Sequence, residues 1–241
     1  MPRIIARGFY TQTLEEKMTR KKHFVIPPMV LALAALAALA CSAVGGGGGI
    51  TDPTEVPSLF KDDFSSSGSG WSTGNSDSSS VDYGDGDYVM KIFTTEWFVW
   101  GNPEESFENV HIEVTARNTG GATDTTFGII CNYQDNTNFY YVGIDSQGFY
   151  AIFKTNPSPP DQILTNNGEW GESADITKDA ASYRIGADCG NGTITLYVNG
   201  TQIASASDSD FSQGDVGLFA WTADEANSEI RFDDLVVTAL P

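Results

Sequence analysis

Basic residues and histidine are scarce in this sequence. Its 241 residues hold thirteen lysines and arginines against thirty-two aspartates and glutamates, with two histidines, for a formal net charge of −19. The shortage of cations argues against a nucleic-acid partner, whose phosphates must be neutralised by lysine and arginine. Two histidines and three cysteines supply no His/Asp/Ser arrangement for nucleophilic catalysis and no cluster able to hold a transition metal. Long apolar runs are missing as well. The stretch Val25 to Ala40 has sixteen residues and is broken by Pro27-Pro28, short of the roughly 20 that a membrane-spanning helix needs. From Tyr88 onward no long stretch repeats at helical period.

What is present at the N-terminal end has the order of a targeting segment. Met18-Thr19-Arg20-Lys21-Lys22-His23 is a basic n-region, and Val25 to Ala40 has the length of a signal h-region. Met1 to Lys17 add nothing that a signal peptide needs, so Met18 is the expected start. The apolar run ends Leu36-Ala37-Ala38-Leu39-Ala40-Cys41-Ser42, which resembles the lipobox of bacterial lipoproteins, although Ala38 stands where that pattern usually has leucine. The resemblance implies lipidation of Cys41 and a membrane anchor; ordinary signal-peptidase cleavage beside a free cysteine is the alternative. Six basic residues and only Glu15 and Glu16 precede Cys41, leaving seven basic and thirty acidic residues from Ser42 onward, a net −23. Such a charge suits solubility in an extracytoplasmic medium of the cell envelope. Gly45 to Gly49 and the proline-bearing segment Thr51 to Pro57 read as a spacer. The expected organisation is a signal peptide and lipobox over 1–41, a linker over 42–58, and one domain over 59–241.

That domain reads as all-β. Strands are predicted at Tyr88 to Phe93, Val110 to Arg117, Thr126 to Tyr133, Phe139 to Ile144, Phe149 to Lys154, Tyr183 to Asp188, Thr193 to Val198, Val216 to Trp221 and Ile230 to Thr238. In the second of these, Val110, Ile112, Val114 and Ala116 alternate with His111, Glu113, Thr115 and Arg117, as in a sheet with one wet face. Asn199-Gly200 suits a type I′ hairpin turn, and Asp145-Ser146-Gln147-Gly148 a second hairpin. Nine or more short strands predict a two-sheet antiparallel β-sandwich. With Cys41 given to lipid, Cys131 and Cys189 remain as an even pair in an oxidising compartment, and a disulfide is expected.

Several segments resemble the concanavalin A-like jelly rolls of bacterial surface proteins, including laminin G-like and 3-keto-disaccharide hydrolase-type domains. They are Asp62-Asp63-Phe64 with Gly70-Trp71, then Phe127 to Asn136 with Asn138-Phe139-Tyr140-Tyr141. Ile194 to Gly200, Gly214-Asp215-Val216-Gly217-Leu218 and Phe232 to Val237 follow in the same order. The resemblance spans nearly all of 59–241. It implies two curved sheets whose concave face binds glycans in many relatives.

No catalytic residue is predicted. The Glu-x-Asp-x-x-Glu strand motif that sets the paired carboxylates of laminarinase-type glucanases is absent, and Glu113 stands alone on its strand. A glycan site would need exposed rings beside carboxylates or amides, and the candidates are Trp97, Trp100, Trp170 and Trp221 with Glu96, Asn132 and Glu225. Core packing of these rings is the alternative. No cofactor is required; structural calcium is a candidate at Asp62, Asp63, Asp233 and Asp234, because terminal strands commonly pair in jelly rolls. Asp82, Asp85 and Asp87 form a second candidate, against solvated turn aspartates. The expected function is a monomeric, lipid-anchored glycan-binding or adhesion module. A glycosidase-like enzyme or a structural envelope lipoprotein is the alternative.

Overall fold

The computed structural model describes Arg7–Gly8, 57–158 and 160–241. The signal segment, Cys41 and nearly all of the linker lie outside the described residues. In chain order the strands are β1 (Arg7–Gly8), β2 (Ser58–Asp62), β3 (Gly74–Asn75), β4 (Ser79–Gly84), β5 (Asp87–Ile92), β6 (Trp97–Gly101), β7 (Ser106–Glu108), β8 (Val110–Asn118) and β9 (Thr126–Asp135). There follow β10 (Asn138–Ile144), β11 (Phe149–Lys154), β12 (Gln162–Ile163), β13 (Gly171–Glu172), β14 (Tyr183–Gly190), β15 (Thr193–Val198), β16 (Thr201–Ser207), β17 (Gln213–Thr222) and β18 (Ser228–Ala239). No helix occurs among the described residues.

Two antiparallel sheets make the predicted sandwich. The first runs β1-β6-β17-β9-β10-β11-β12, with β7 beside β17 and β13 beside β11; the second runs β16-β15-β14-β8-β18-β5-β4-β3, with β2 beside β18. Alternation in β8 buries Val110, Ile112, Val114 and Ala116 and leaves His111, Glu113, Thr115 and Arg117 half-buried. Facing them from the first sheet are Phe127, Ile129 and Cys131 of β9, Val142 and Ile144 of β10, and Leu218 and Ala220 of β17. Each Val, Ile, Leu or Phe among them contributes about 1.5–3 kcal/mol by leaving water.

Local chemistry sets the hairpins. Asn199 and Gly200 take φ values of 51° and 77° between β15 and β16, the positive pair that a type I′ turn demands. Between β10 and β11 the Asp145 carboxylate accepts from the amides of Gln147 and Phe149, both at 2.9 Å, while Gly148 supplies φ 96°. The Cys131–Cys189 disulfide joins β9 of the first sheet to β14 of the second.

Candidate functional site

The outer faces of the two sheets differ in kind. On the second sheet, His111 Nδ1 lies 2.6 Å from Asp188, Tyr197 donates to the same carboxylate at 2.7 Å, and Arg184 pairs with Glu113 at 3.3 Å. This is a half-exposed polar network. On the first sheet, alternation drives aromatic residues outward: Phe98 and Trp100 from β6, Phe219 and Trp221 from β17, Phe139 and Tyr141 from β10, and Phe153 from β11.

These rings form a continuous chain. Phe98 stacks on Phe219 at 5.1 Å and Tyr141 on Phe153 at 4.4 Å, while Phe98 meets Tyr141 edge-on at 5.4 Å. Trp100 approaches Phe139 at 6.1 Å, and Phe139 approaches Tyr133 at 5.4 Å. At the other border Phe153 meets Trp170 at 5.2 Å, and Trp170 stacks on Trp221 at 6.1 Å with 23° between planes. Gly143 is part of this design, because a Cβ there would stand 2.7 Å from the tip of Phe219. Polar groups rim the rings. Tyr141 donates to Asp161 at 3.1 Å. At the Tyr133 end, Asp215 pairs with Tyr133 across the strands and accepts from the Asn102 side-chain amide at 2.9 Å. Burial holds the Asp215 carboxyl above the usual range; the Asn102 bond opposes this, and Glu104 and Glu105 reinforce it.

The predicted glycan candidates divide. Trp97 and Trp100 are three residues apart but occupy opposite faces: Trp97 packs on the inter-sheet core and donates Nε1 to Ser79 at 3.2 Å, whereas Trp100 belongs to the outer ring chain and is buried. Trp170 and Trp221 come together, both half-buried. Glu96 is half-buried in the turn before β6, with φ 54°. Asn132 lies buried at the far end of β9, and Glu225 is exposed on the loop after β17, accepting from the Thr123 amide at 3.0 Å. Sequence reasoning did not single out Phe98, Phe139, Phe153 and Phe219 as one cluster, and all four are buried. The signal was there, since in β6, β10 and β17 both alternation classes are aromatic or aliphatic, so both faces had to be apolar.

For the calcium candidates, pairing of β2 with β18 sets Asp62 opposite Leu235, and Asp62, Asp63 and Asp234 line one cleft with Lys61. Asp62 accepts from the Phe64 amide at 2.8 Å and Asp63 from Ser65, so these carboxylates close their own turns. Asp233 instead accepts from the Asp234 amide at 2.8 Å and lies 3.9 Å from Arg117. Asp87 of the second set is held by Arg117 and Arg231. Among the described residues no three acidic, histidine or cysteine side chains converge as metal ligands.

Asp124, next to Glu225 in space, carries a pH prediction. It is buried, its Oδ2 accepts from the amides of Asp224 at 2.9 Å and Glu225 at 3.3 Å, and its Oδ1 has no partner. Burial pushes its pKa up against those two bonds, helped by the charge of Glu225. A carboxyl whose pKa is raised by folding stabilises below its unfolded pKa, and that contribution is lost as pH rises through the folded value. Asp124→Asn keeps an acceptor for the two amides and removes the charge. It should therefore match or exceed the wild-type melting temperature at pH 7, with the two curves converging as pH falls toward 3. Asp124→Ala, which strands both amides, should cost about 1–3 kcal/mol. A melting series over pH 3–7 decides, and an Asn variant less stable at neutral pH than the wild type would sink the account.

No family model and no curated protein matches the chain. Solved structures do match in fold. A carbohydrate-binding module, CBM66 from Bacillus subtilis, aligns at 15% identity and TM-score 0.57 over 70% of this chain and 96% of its own. A Bacillus licheniformis β-glucanase aligns at 11% and 0.52 over 76% and 98%. A galectin-like protein of unknown function from Bacillus subtilis aligns at 13% and 0.52 over 76% and 97%. The domain thus has the fold of a jelly-roll β-sandwich.

Proposed function

We propose that the chain is an extracytoplasmic glycan-binding module, tethered to a membrane by lipid on Cys41 and held off it by the glycine spacer. The observation that carries the reading is the outer face of the first sheet, where a chain of aromatic rings ends in the half-buried Trp170–Trp221 pair and is rimmed by Asp215, Asn102 and Asp161. Sugars present C–H faces to aromatic rings and hydroxyls to carboxylates and amides; the inner rings of the chain are buried, so the half-buried Trp170 and Trp221 are the rings offered for such stacking. The fold neighbours named as a carbohydrate-binding module and a β-glucanase give the reading its class. Cleavage before Cys41 would remove β1, whose only described partner is β6, and would leave β6 as the edge strand of the ring-bearing sheet.

Retention in gels containing soluble polysaccharides tests this. Wild type is expected to be slowed by at least one neutral glucan, fructan or galactan. The Trp170→Ala/Trp221→Ala pair, checked for native circular dichroism, should bind at least about tenfold more weakly, the equivalent of 1.4 kcal/mol. A folded wild type that runs unretarded through every polysaccharide would sink the proposal. A hydrolase is the second reading, favoured by the half-buried Asp215, whose carboxyl is held above the usual range by burial and by the charges of the loop residues Glu104 and Glu105. Release of reducing ends during the same incubation would support it.

A further inference from the structure

The basic residues of the domain are not spread evenly. Seven lysines and arginines lie downstream of Cys41. Five of them, Lys61, Lys91, Arg117, Arg184 and Arg231, stand on β2, β5, β8, β14 and β18, which all belong to the second sheet. The other two, Lys154 on β11 and Lys178 between β13 and β14, already hold carboxylates. Lys154 lies 2.9 Å from Asp208 and also bonds Asp210, and Lys178 lies 3.1 Å from Glu172. Alternation puts Lys154 with Ile152 on the side of β11 away from Phe153 and the ring chain. Arg7 of β1 would leave with the segment cleaved before Cys41.

Carboxylates gather instead at both ends of β17, the strand that carries Phe219 and Trp221. At its Trp221 end stand Asp224 and Glu225, which follow the strand, and Glu96, whose amide donates to the Ala223 carbonyl at 3.0 Å. Toward the other end Asp215 stands on the strand; burial raises its carboxyl, and the charges of Glu104 and Glu105 add to this. Asp124, at the Trp221 end, is raised in the same way by burial and by the charges of Glu225 and Asp224. Among the described residues no lysine or arginine lies within ion-pair distance of Glu96, Glu104, Glu105, Asp215, Asp224 or Glu225. The two groups are far apart, since Asp215 and Asp224 are separated by roughly 30 Å of extended strand.

A face so charged selects its ligand. Uronate, sulfate or phosphate groups would approach carboxylates with no cation to receive them. An ammonium group would be drawn in, and the tryptophan pair adds to that attraction, because the face of an indole attracts a cation through its quadrupole. Carboxylates at both ends of so long a strand suit a polymer that repeats its charge better than one small cation. We propose that the ring face of the first sheet binds a polysaccharide of amino sugars with free amines, its pyranose faces on Trp170 and Trp221 and its ammonium groups toward Glu96, Asp224 and Glu225. The inference rests on the glycan-binding reading for the site and adds to it the class of ligand.

Calorimetric titration of the exported form with three β-1,4-linked hexamers tests it. They are built of glucosamine, N-acetylglucosamine and glucose, and differ only at carbon 2. At about pH 5.5 the amines are protonated and exposed carboxylates are ionised. In about 20 mM salt the glucosamine hexamer should bind at least about tenfold more tightly than the other two, and in about 500 mM salt that preference should shrink to about threefold or less. Asp224→Asn with Glu225→Gln keeps an acceptor for the Thr123 amide and removes two charges; it should weaken glucosamine binding at least about fivefold. Trp170→Ala with Trp221→Ala should weaken it at least about tenfold. Equal affinity for the three hexamers would overturn the inference and leave the glycan reading standing. Glucosamine binding that survives the loss of both tryptophans, or that spermine matches, would mean a polycation held by charge alone and would overturn it as well. Failure of the glucosamine hexamer to bind would overturn it outright, while polysaccharide retention decides the glycan reading separately.

Discussion

Opening the Cys131–Cys189 disulfide, by reduction or by replacing both cysteines with alanine, is expected to destabilise the domain by up to roughly 4 kcal/mol. The bridge closes a loop of 58 residues, and chain-entropy arithmetic over that length gives this figure as an upper estimate. For a domain of this size about 2–4 °C of melting temperature follows each kcal/mol, so a fall of about 10 °C is expected. The effect is more than local, because the bridge crosses from β9 in one sheet to β14 in the other, and both sulfurs are buried in the core between them. Alanine is the better replacement, since serine would strand a hydroxyl in that core. Calorimetry with and without a phosphine reductant decides. An unchanged melting temperature would mean that side-chain packing alone holds the sheets together and that the unfolded chain gains nothing from release.

The parts of this fold that could be read from sequence are those where one residue's chemistry decides. Alternation in Val110 to Arg117 set the wet and dry faces of β8, and Asn199-Gly200 set a hairpin that the structure contains. All nine predicted strands lie within or against strands of the sandwich. The same alternation separates Trp97 and Val99 on one face of β6 from Phe98 and Trp100 on the other. What it could not give was partnership between strands distant in sequence. Trp170 sits in a loop with no period to read, and only the path of the chain brings it onto Trp221 in β17. The strand Ser79–Gly84 passed unnoticed, and Thr201–Ser207 was foreseen only as the second arm of the Asn199-Gly200 hairpin, because serine and alanine give weak β signals and a place near the sheet borders relieves these strands of presenting two apolar faces. The aspartate pairs show a different limit. Pairing of the terminal strands was foreseeable, yet whether a carboxylate looks outward to a ligand or back to its own turn depends on hydrogen bonds that the sequence does not display.

Replacing Tyr88 with alanine should cost about 3–5 kcal/mol, the range for deleting a large ring from a closed core. Tyr88 is fully buried on β5, where Phe64 stacks at 5.5 Å, Trp71 approaches at 5.1 Å and Tyr83 meets it edge-on at 5.6 Å. Its hydroxyl donates to the Ser72 carbonyl, and burial holds the phenol protonated far above its ordinary range. Tyr88→Phe keeps the ring and gives up that bond, for about 1 kcal/mol. The hydroxyl end also explains Gly101 on β6, because a Cβ there would overlap the Tyr88 oxygen and stand 2.9 Å from the carbon that bears it. Gly101→Ala should therefore cost about 1–3 kcal/mol through overpacking. Combining it with Tyr88→Phe removes the atom in the way, so the double variant should be more stable than the two single losses predict, by at least about 0.5 kcal/mol. Recovery should stay partial, since the ring carbon remains close to the new methyl group. Urea unfolding of the four proteins measures the coupling; strict additivity would mean that Gly101 is needed for its backbone rather than for the space it leaves to Tyr88.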